Sequence, residues 1–266
     1  MGKCLSMCSA HENTNTGKST SQTSAYSGPQ SDVYEPTQKQ PIHTDKISVV
    51  EIPRLYMLRS EYDETKIEIL FEKYKDETED AILVNGMERF CQDLGVNPAE
   101  FAVLVLAWKF NASKMCRFTK QEFLEGCKLL KVDNVNAIKH KMAELEREVR
   151  QNTEDFRELY KFTFAFGLDV DEGQRSLPVN MAVPLWKLVF GDSAPAYMDQ
   201  WYDFIEDRGV KVIPRDTWNM FLHMSESIKS DFSNYDECEA WPSLFDDFVE
   251  AQRHKTSNGD AEVMAE

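Results

Sequence analysis

Three features of the chain predict an all-α fold behind a polar N-terminal segment. Apolar residues recur at helical spacing from about residue 62 onward, strand-type alternation is scarce, and Gly, Pro and capping residues break the pattern at helix-length intervals. With 266 residues and 42% apolar content, the chain can enclose one core of about 200 residues, or two small ones.

Residues 1–61 read as a lipidated, disordered tether. The opening MGKCLS places Gly2 and Ser6 where N-myristoylation requires them once Met1 is removed. Cys4, and with a weaker claim Cys8, stand beside Gly2 as palmitoylation candidates. One myristoyl chain gives an association constant of only about 10⁴ M⁻¹, so stable residence on a membrane needs a second signal. Lys3 is a single charge and no polybasic cluster follows, so acyl chains would carry the anchoring. From Ser9 to about Ile52, Ser, Thr, Gln, Asn and Pro predominate with little to bury. A flexible segment of that length has a root-mean-square span of roughly 35–40 Å.

The folded part is expected over residues 62–252, with a short disordered tail over 253–266. Ile67, Leu70, Phe71 and Tyr74 recur at i, i+3, i+4 and i+7 and mark the first amphipathic helix. The loop from Tyr74 to Gly86 resembles a calcium loop only superficially. Counted from Asp76, Ala81 falls where glycine is needed and Met87 where a bidentate Glu is needed, so a helix–turn–helix without metal is predicted. Asn97, Pro98 and Glu100 read as N-cap, N1 and N3 of a helix over Ala99 to Phe110, apolar nearly all round and therefore central. Thr119 and Glu122 form a capping box for a helix toward Leu130. Further helices are predicted near 134–150, 154–167, 178–190, 195–207, 215–229 and 239–252, with Gly167, Gly191 and Gly209 as stops and Pro184 as a kink.

Charge and cysteine usage narrow the function classes. The first 62 residues carry six basic and six acidic side chains, so the net charge of −16 belongs to residues 63–266. A phosphate backbone would be repelled, which argues against nucleic acid and for a basic protein partner. The six cysteines form no CxxC pair and have no His at metal-ligand spacing, so neither a zinc site nor a disulfide framework is expected. An intracellular, reduced protein with no metal and no cofactor is the resulting expectation. The five histidines are scattered, and Cys116, flanked by Lys114 and Arg117, is the one thiol with the surroundings of a nucleophile.

The segment Asp231 to Glu250, DFSNYDECEAWPSLFDDFVE, holds seven acidic residues and no basic one. Trp241, Leu244, Phe245 and Phe248 fall at helical spacing within it and would bury one stripe, leaving Asp246, Asp247 and Glu250 displayed at its edge. Together with RDTWNMFLHMSESI, Arg215 to Ile228, this segment resembles the C-terminal end of the potentiating-neddylation (PONY) domain of the defective-in-cullin-neddylation family. GMERFCQDLGVNPAEFAVLVLAWKFNASKMCRFTKQEF, Gly86 to Phe123, resembles the first half of that domain, and DFRELYKFTFAFGLD, Asp155 to Asp169, its middle. The likeness covers roughly Tyr62 to Ala251.

The resemblance implies two EF-hand-like helical lobes without calcium. It implies a scaffold-type co-ligase, not an enzyme, that binds the C-terminal winged-helix region of a cullin on one surface and the N-acetylated terminus of the neddylation conjugating enzyme in a pocket. Asp216, Ala240 and Asp246 correspond to the cullin-binding positions, with Asp247 the weaker alternative to Asp246. Val84, Met87, Ala99, Val103, Leu106, Ala107, Phe110, Cys116, Phe118, Phe166 and Leu188 correspond to the acetyl-methionine pocket. Leu185 stands where some relatives carry Tyr. Without a ubiquitin-associated domain ahead of it, the arrangement resembles the membrane-anchored branch, at the plasma membrane or another cytosol-facing membrane with a cytoplasmic and nuclear pool besides. Three other readings are an inhibitor that sequesters cullins, a myristoylated EF-hand-like adaptor, and a transferase acting through Cys116.

Overall fold

A computed structural model describes residues 61–263, with side chains through Lys255. Gly2, Cys4, Cys8 and the tether lie outside the described residues. Ten α-helices and four very short strands make up the described part, in the order α1 (Glu64–Tyr74), β1 (Ala81–Ile82), α2 (Val84–Leu94), α3 (Phe101–Lys109), β2 (Phe118–Thr119), α4 (Lys120–Leu130), α5 (Val135–Gln151), α6 (Thr153–Phe166), β3 (Ser176–Pro178), α7 (Val179–Phe190), α8 (Met198–Asp207), β4 (Val212–Pro214), α9 (Arg215–Ser227) and α10 (Ser243–Val263).

Each lobe is a pair of helix–loop–helix units clipped together by a two-stranded antiparallel sheet. In the first, Ala81 faces Thr119 and Ile82 faces Phe118. In the second, Leu177 faces Ile213, with Ser176 and Pro178 opposite Pro214 and Val212. This is the EF-hand-like architecture, and its loops are closed by protein atoms: Asp76 Oδ1 accepts from Thr78 N and Oγ1 at 2.9 and 2.8 Å. α5 links the lobes, and Asn152 ends it while capping α6 through bonds from Glu154 N and Asp155 N.

Local chemistry sets the boundaries. Thr119 and Glu122 form the expected capping box, with Glu122 N donating to Thr119 Oγ1 at 3.2 Å and Thr119 N to Glu122 Oε2 at 2.7 Å. The same carboxylate accepts from Ser113 N at 2.8 Å, so it also fixes the loop ahead of β2. Burial pushes the Glu122 carboxyl up, but the backbone donors of Thr119 and Ser113 outweigh it and hold it below its ordinary value of 4.5.

Four expectations need correction. α2 begins at Val84 and takes in Gly86, where a Cβ would stand 2.1 Å from the Tyr74 carbonyl oxygen. Asn97 and Glu100 make the capping bonds, Asn97 Oδ1 accepting from Ala99 N at 2.8 Å and Glu100 Oε1 from Asn97 N at 2.7 Å, yet regular helix starts only at Phe101. The last helix begins at Ser243 because Pro242 disfavours helical backbone at Trp241. It then runs past the expected end at 252 to Val263.

Aromatic packing fills both lobes. In the first, Phe123 meets Phe71, Phe90 and Phe110 at ring separations of 5.9, 5.7 and 5.7 Å. Gly126 makes this possible, since a Cβ there would lie 2.2 Å from the Phe110 ring. In the second, Trp186 and Trp218 stack at 4.9 Å and 8°. Tyr160 ties them: its hydroxyl donates to Trp218 O at 2.8 Å and accepts from Trp186 Nε1 at 2.8 Å, while Trp218 Nε1 donates to Tyr160 O at 3.0 Å.

Tyr160→Phe strands the Trp186 indole N–H in a dry core, and is expected to lower unfolding stability in urea by about 1–3 kcal/mol. An unchanged midpoint would count against the network. Glu122→Ala is expected to cost about 1–2 kcal/mol at pH 7. Because the folded carboxyl titrates below 4.5, that contribution is complete above 4.5 and is lost as the pH falls through the lower folded value. Melts of wild type and variant should therefore converge in acid.

Candidate functional site

A largely apolar pocket opens at the seam between the lobes, enclosing about 740 Å³ when the space at its mouth is included. α2 contributes Val84 and Met87, the turn before α3 contributes Pro98 and Ala99, and α3 contributes Val103, Leu104 and Ala107. The opposite wall is the loop ahead of β2, with Met115, Cys116, Arg117 and Phe118. α6 and α7 of the second lobe close it with Phe166, Leu185 and Leu188. Glu122 holds that loop at both ends, through Ser113 N and Thr119 N. Lys114 pairs with Asp171 and joins the loop to the segment after α6.

Nine of the eleven expected pocket residues thus line one cavity: Val84, Met87, Ala99, Val103, Ala107, Cys116, Phe118, Phe166 and Leu188. Leu106 and Phe110 do not. Both are buried in the first lobe, where the Phe110 ring packs on Gly126, Phe118 and Phe123. Pro98, Met115 and Arg117 are neighbours in sequence of residues that were expected, so adjacency was the available signal. The same holds for Leu104 and Glu88, beside Val103 and Met87, while Leu185 stood out only as the position where some relatives carry Tyr. Leu185 is fully buried and packs at Gly167, where a Cβ would come within 2.5 Å of it. Pro184 lies inside α7, which remains continuous around it.

An acidic face lies at the other end of the second lobe. Asp216 is exposed in the first turn of α9, and His223, seven residues on, projects from the same side about 10 Å along the axis. His223 stacks on Trp241 at 5.3 Å and 20°, and Trp241 stacks in turn on Tyr235 at 5.4 Å and 23°. Ala240, next to Trp241, is exposed. The Tyr235 hydroxyl donates to Asp246 Oδ1 at 2.7 Å. Burial, and after it the bond to the Asp246 carboxylate, push the Tyr235 phenol well above its ordinary value, so it stays protonated and keeps donating. Asp246 is half-buried and held, whereas Asp247 is exposed. Arg253 staples the preceding loop to α10, reaching Glu237 at 2.6 Å and the carbonyls of Phe232 and Tyr235 at 3.3 and 3.4 Å. Sequence reasoning missed Tyr235, His223 and Arg253, whose roles depend on residues 11 to 21 positions away or on the neighbouring helix.

Residues 137–251 match the family model described as cullin binding. DCN1-like protein 3 of Xenopus tropicalis is 55% identical over 195 residues, which cover 73% of this chain and 64% of that protein. DCN1-like protein 3 of Homo sapiens is 54% identical over 187 residues, covering 70% and 61%, and that of Drosophila melanogaster is 46% identical over 188 residues, covering 70% and 55%. The match therefore spans less than two thirds of the length of these relatives. With paired helix–loop–helix lobes, the matched domain and this level of identity, the chain belongs to the DCN1-like, or defective-in-cullin-neddylation, family.

Proposed function

We propose that this protein is a non-catalytic scaffold that promotes cullin neddylation by holding a cullin and a conjugating enzyme together. The observation that supports the reading is that Asp216, Ala240 and Asp246 all fall within residues 137–251, the segment that matches the cullin-binding model, with Ala240 beside Trp241 in sequence and Asp246 bonded to the Tyr235 that stacks on Trp241. The two carboxylates offer acceptors for Lys or Arg of the cullin's C-terminal region, and Ala240 between them permits close approach. The inter-lobe pocket takes the acetylated methionine of the conjugating enzyme. Acetylation removes the terminal ammonium, whose burial without a partner would be costly.

Such a scaffold needs no nucleophile. Fixing donor thioester and acceptor lysine relative to one another raises their effective concentration and orients them. The acyl groups expected on Gly2 and Cys4, with Cys8 as a further candidate, place this reaction at a cytosol-facing membrane. Acylation of the N-terminal segment and docking by the helical domain are separable functions.

Asp216→Ala combined with Asp246→Lys in the full chain is expected to weaken binding to a cullin C-terminal fragment at least tenfold, measured by calorimetry, and to slow cullin neddylation in proportion. Tyr235→Phe removes the internal bond but keeps the carboxylate, and separates lost charge from lost order. Undiminished binding by the double variant sinks the assigned patch. Gly2→Ala is expected to move the protein from the membrane to the soluble fraction of cells, and an unaltered distribution would count against acyl anchoring.

A further inference from the structure

His223 is the exposed end of a column of rings that runs to Asp246. It stands on α9, seven residues and two turns beyond Asp216, and stacks on Trp241 at 5.3 Å and 20°. Trp241 stacks on Tyr235 at 5.4 Å and 23°, and the Tyr235 hydroxyl donates to Asp246 Oδ1 at 2.7 Å. The column therefore starts on the helix that carries one carboxylate of the acidic face and ends on the other carboxylate.

The backbone of the loop that carries Tyr235 is held without His223. The Asn234 side chain accepts from Lys229 N at 2.8 Å and donates to Ser227 O at 2.8 Å, and Arg253 reaches the carbonyls of Phe232 and Tyr235. The angle of the rings is a separate matter. The Trp241 indole Nε1 is buried and has no hydrogen-bond partner, so packing alone orients that ring. Trp241 also stands ahead of Pro242, outside α10, where helix bonds do not fix its backbone. Among the described residues its aromatic neighbours are Tyr235, His223 and Phe245, the last tilted by 58° at 6.2 Å. Of the three, His223 alone belongs to α9, the helix that Trp218 locks into the core.

We propose that His223 is a positioning residue of the acidic face: by stacking on Trp241 it orients the Tyr235 ring, and through it the Asp246 carboxylate, relative to Asp216. This rests on the reading of Asp216, Ala240 and Asp246 as the cullin-binding patch. Two carboxylates on different helices match the cations of a basic surface only when their spacing is fixed, because a loose side chain loses entropy when it pairs. His223 and Asp216 share α9, so the stack carries the frame of that helix across the loop to Asp246 on α10. The role belongs to the ring of His223 and not to its nitrogens.

The test is a double-mutant cycle in the full chain, with binding to a cullin C-terminal fragment measured by calorimetry. His223→Ala is expected to weaken binding about three- to tenfold, and His223→Phe, which keeps a ring to stack, to bind within about twofold of wild type. In an Asp246→Ala background His223→Ala should have no further effect, whereas in an Asp216→Ala background it should keep its full effect. Undiminished binding by His223→Ala overturns the assignment while the patch stands. So does an effect that persists in the Asp246→Ala background or that Phe fails to restore, since His223 then acts on the cullin directly or on the fold as a whole. A wild-type chain that does not bind the fragment overturns the reading of the face itself. Thermal melts of each variant confirm that the fold is retained.

Discussion

The hydrogen-bonded cluster of Tyr160, Trp186 and Trp218 is the constraint on which both proposed recognition surfaces depend. It joins α6, α7 and α9, one residue from each. Phe166, on the pocket wall, lies at the end of the α6 that carries Tyr160, and Leu185 and Leu188 flank Trp186 on α7. Asp216 stands two residues ahead of Trp218 on α9. Burial drives the Tyr160 phenol well above its ordinary value, so the group remains a neutral donor and acceptor. Its exchange of bonds with both indoles satisfies polar groups in a core where an unpaired one costs about 1–3 kcal/mol. The indole Nε1 of nearby Trp201, by contrast, is buried with no partner. The Trp241 indole Nε1 is likewise buried without a partner, whereas both indoles at the junction of α6, α7 and α9 are bonded.

Surface ion pairs do not hold this fold. The pairs of Lys66 with Asp133, Lys73 with Asp93 and Lys131 with Glu61 each have at least one partner whose side chain is more than half exposed. Exposed pairs contribute about 0–1 kcal/mol each. The continuous aromatic packing, from Phe71 through Phe123 to Phe110 in one lobe and from Trp186 through Trp201 to Phe245 and Phe248 in the other, buries far more apolar surface. With rigid lobes on either side, a cavity at their seam keeps its shape. The loop from Ser113 to Phe118 forms one wall, and Glu122 anchors it at both ends.

How much of this was legible in sequence depends on the range of the interaction responsible. The Thr119–Glu122 box, the stripe Ile67–Leu70–Phe71–Tyr74 and the glycine stops are local, and they read correctly. The strands were not readable, because two or three residues cannot establish an alternation. Trp241 looked like the first residue of a helical stripe; it is buried as expected, but Pro242 keeps it outside the helix. Leu106 and Phe110 share helical spacing with Val103, yet the absence of a side chain at Gly126, on another helix, decides that the Phe110 ring turns into the core. Asp216, Ala240 and Asp246 came from a motif resemblance, since no local rule distinguishes Asp246 from Asp247. The distinguishing contact, from Tyr235, spans eleven residues and a turn of the chain.

That contact also separates attraction from recognition in a chain with a net charge of −16. So large a charge draws any basic surface toward the domain, and it acts on encounter rate without choosing a partner. Choice requires carboxylates whose positions are already fixed, because a loose side chain loses entropy when it pairs and returns little. Asp247 and Glu250 are exposed and can only follow a partner's charges. Asp246 is different: Tyr235 occupies one oxygen at 2.7 Å, Trp241 stacks on Tyr235, and Arg253 staples the intervening loop to α10. The second oxygen of Asp246 is therefore presented from a held carboxylate. At the lobe seam the logic is reversed, with walls that are largely apolar. On the proposed reading, one domain recognises by ordered charge on one face and by ordered dryness on another, and helices of the second lobe contribute to both.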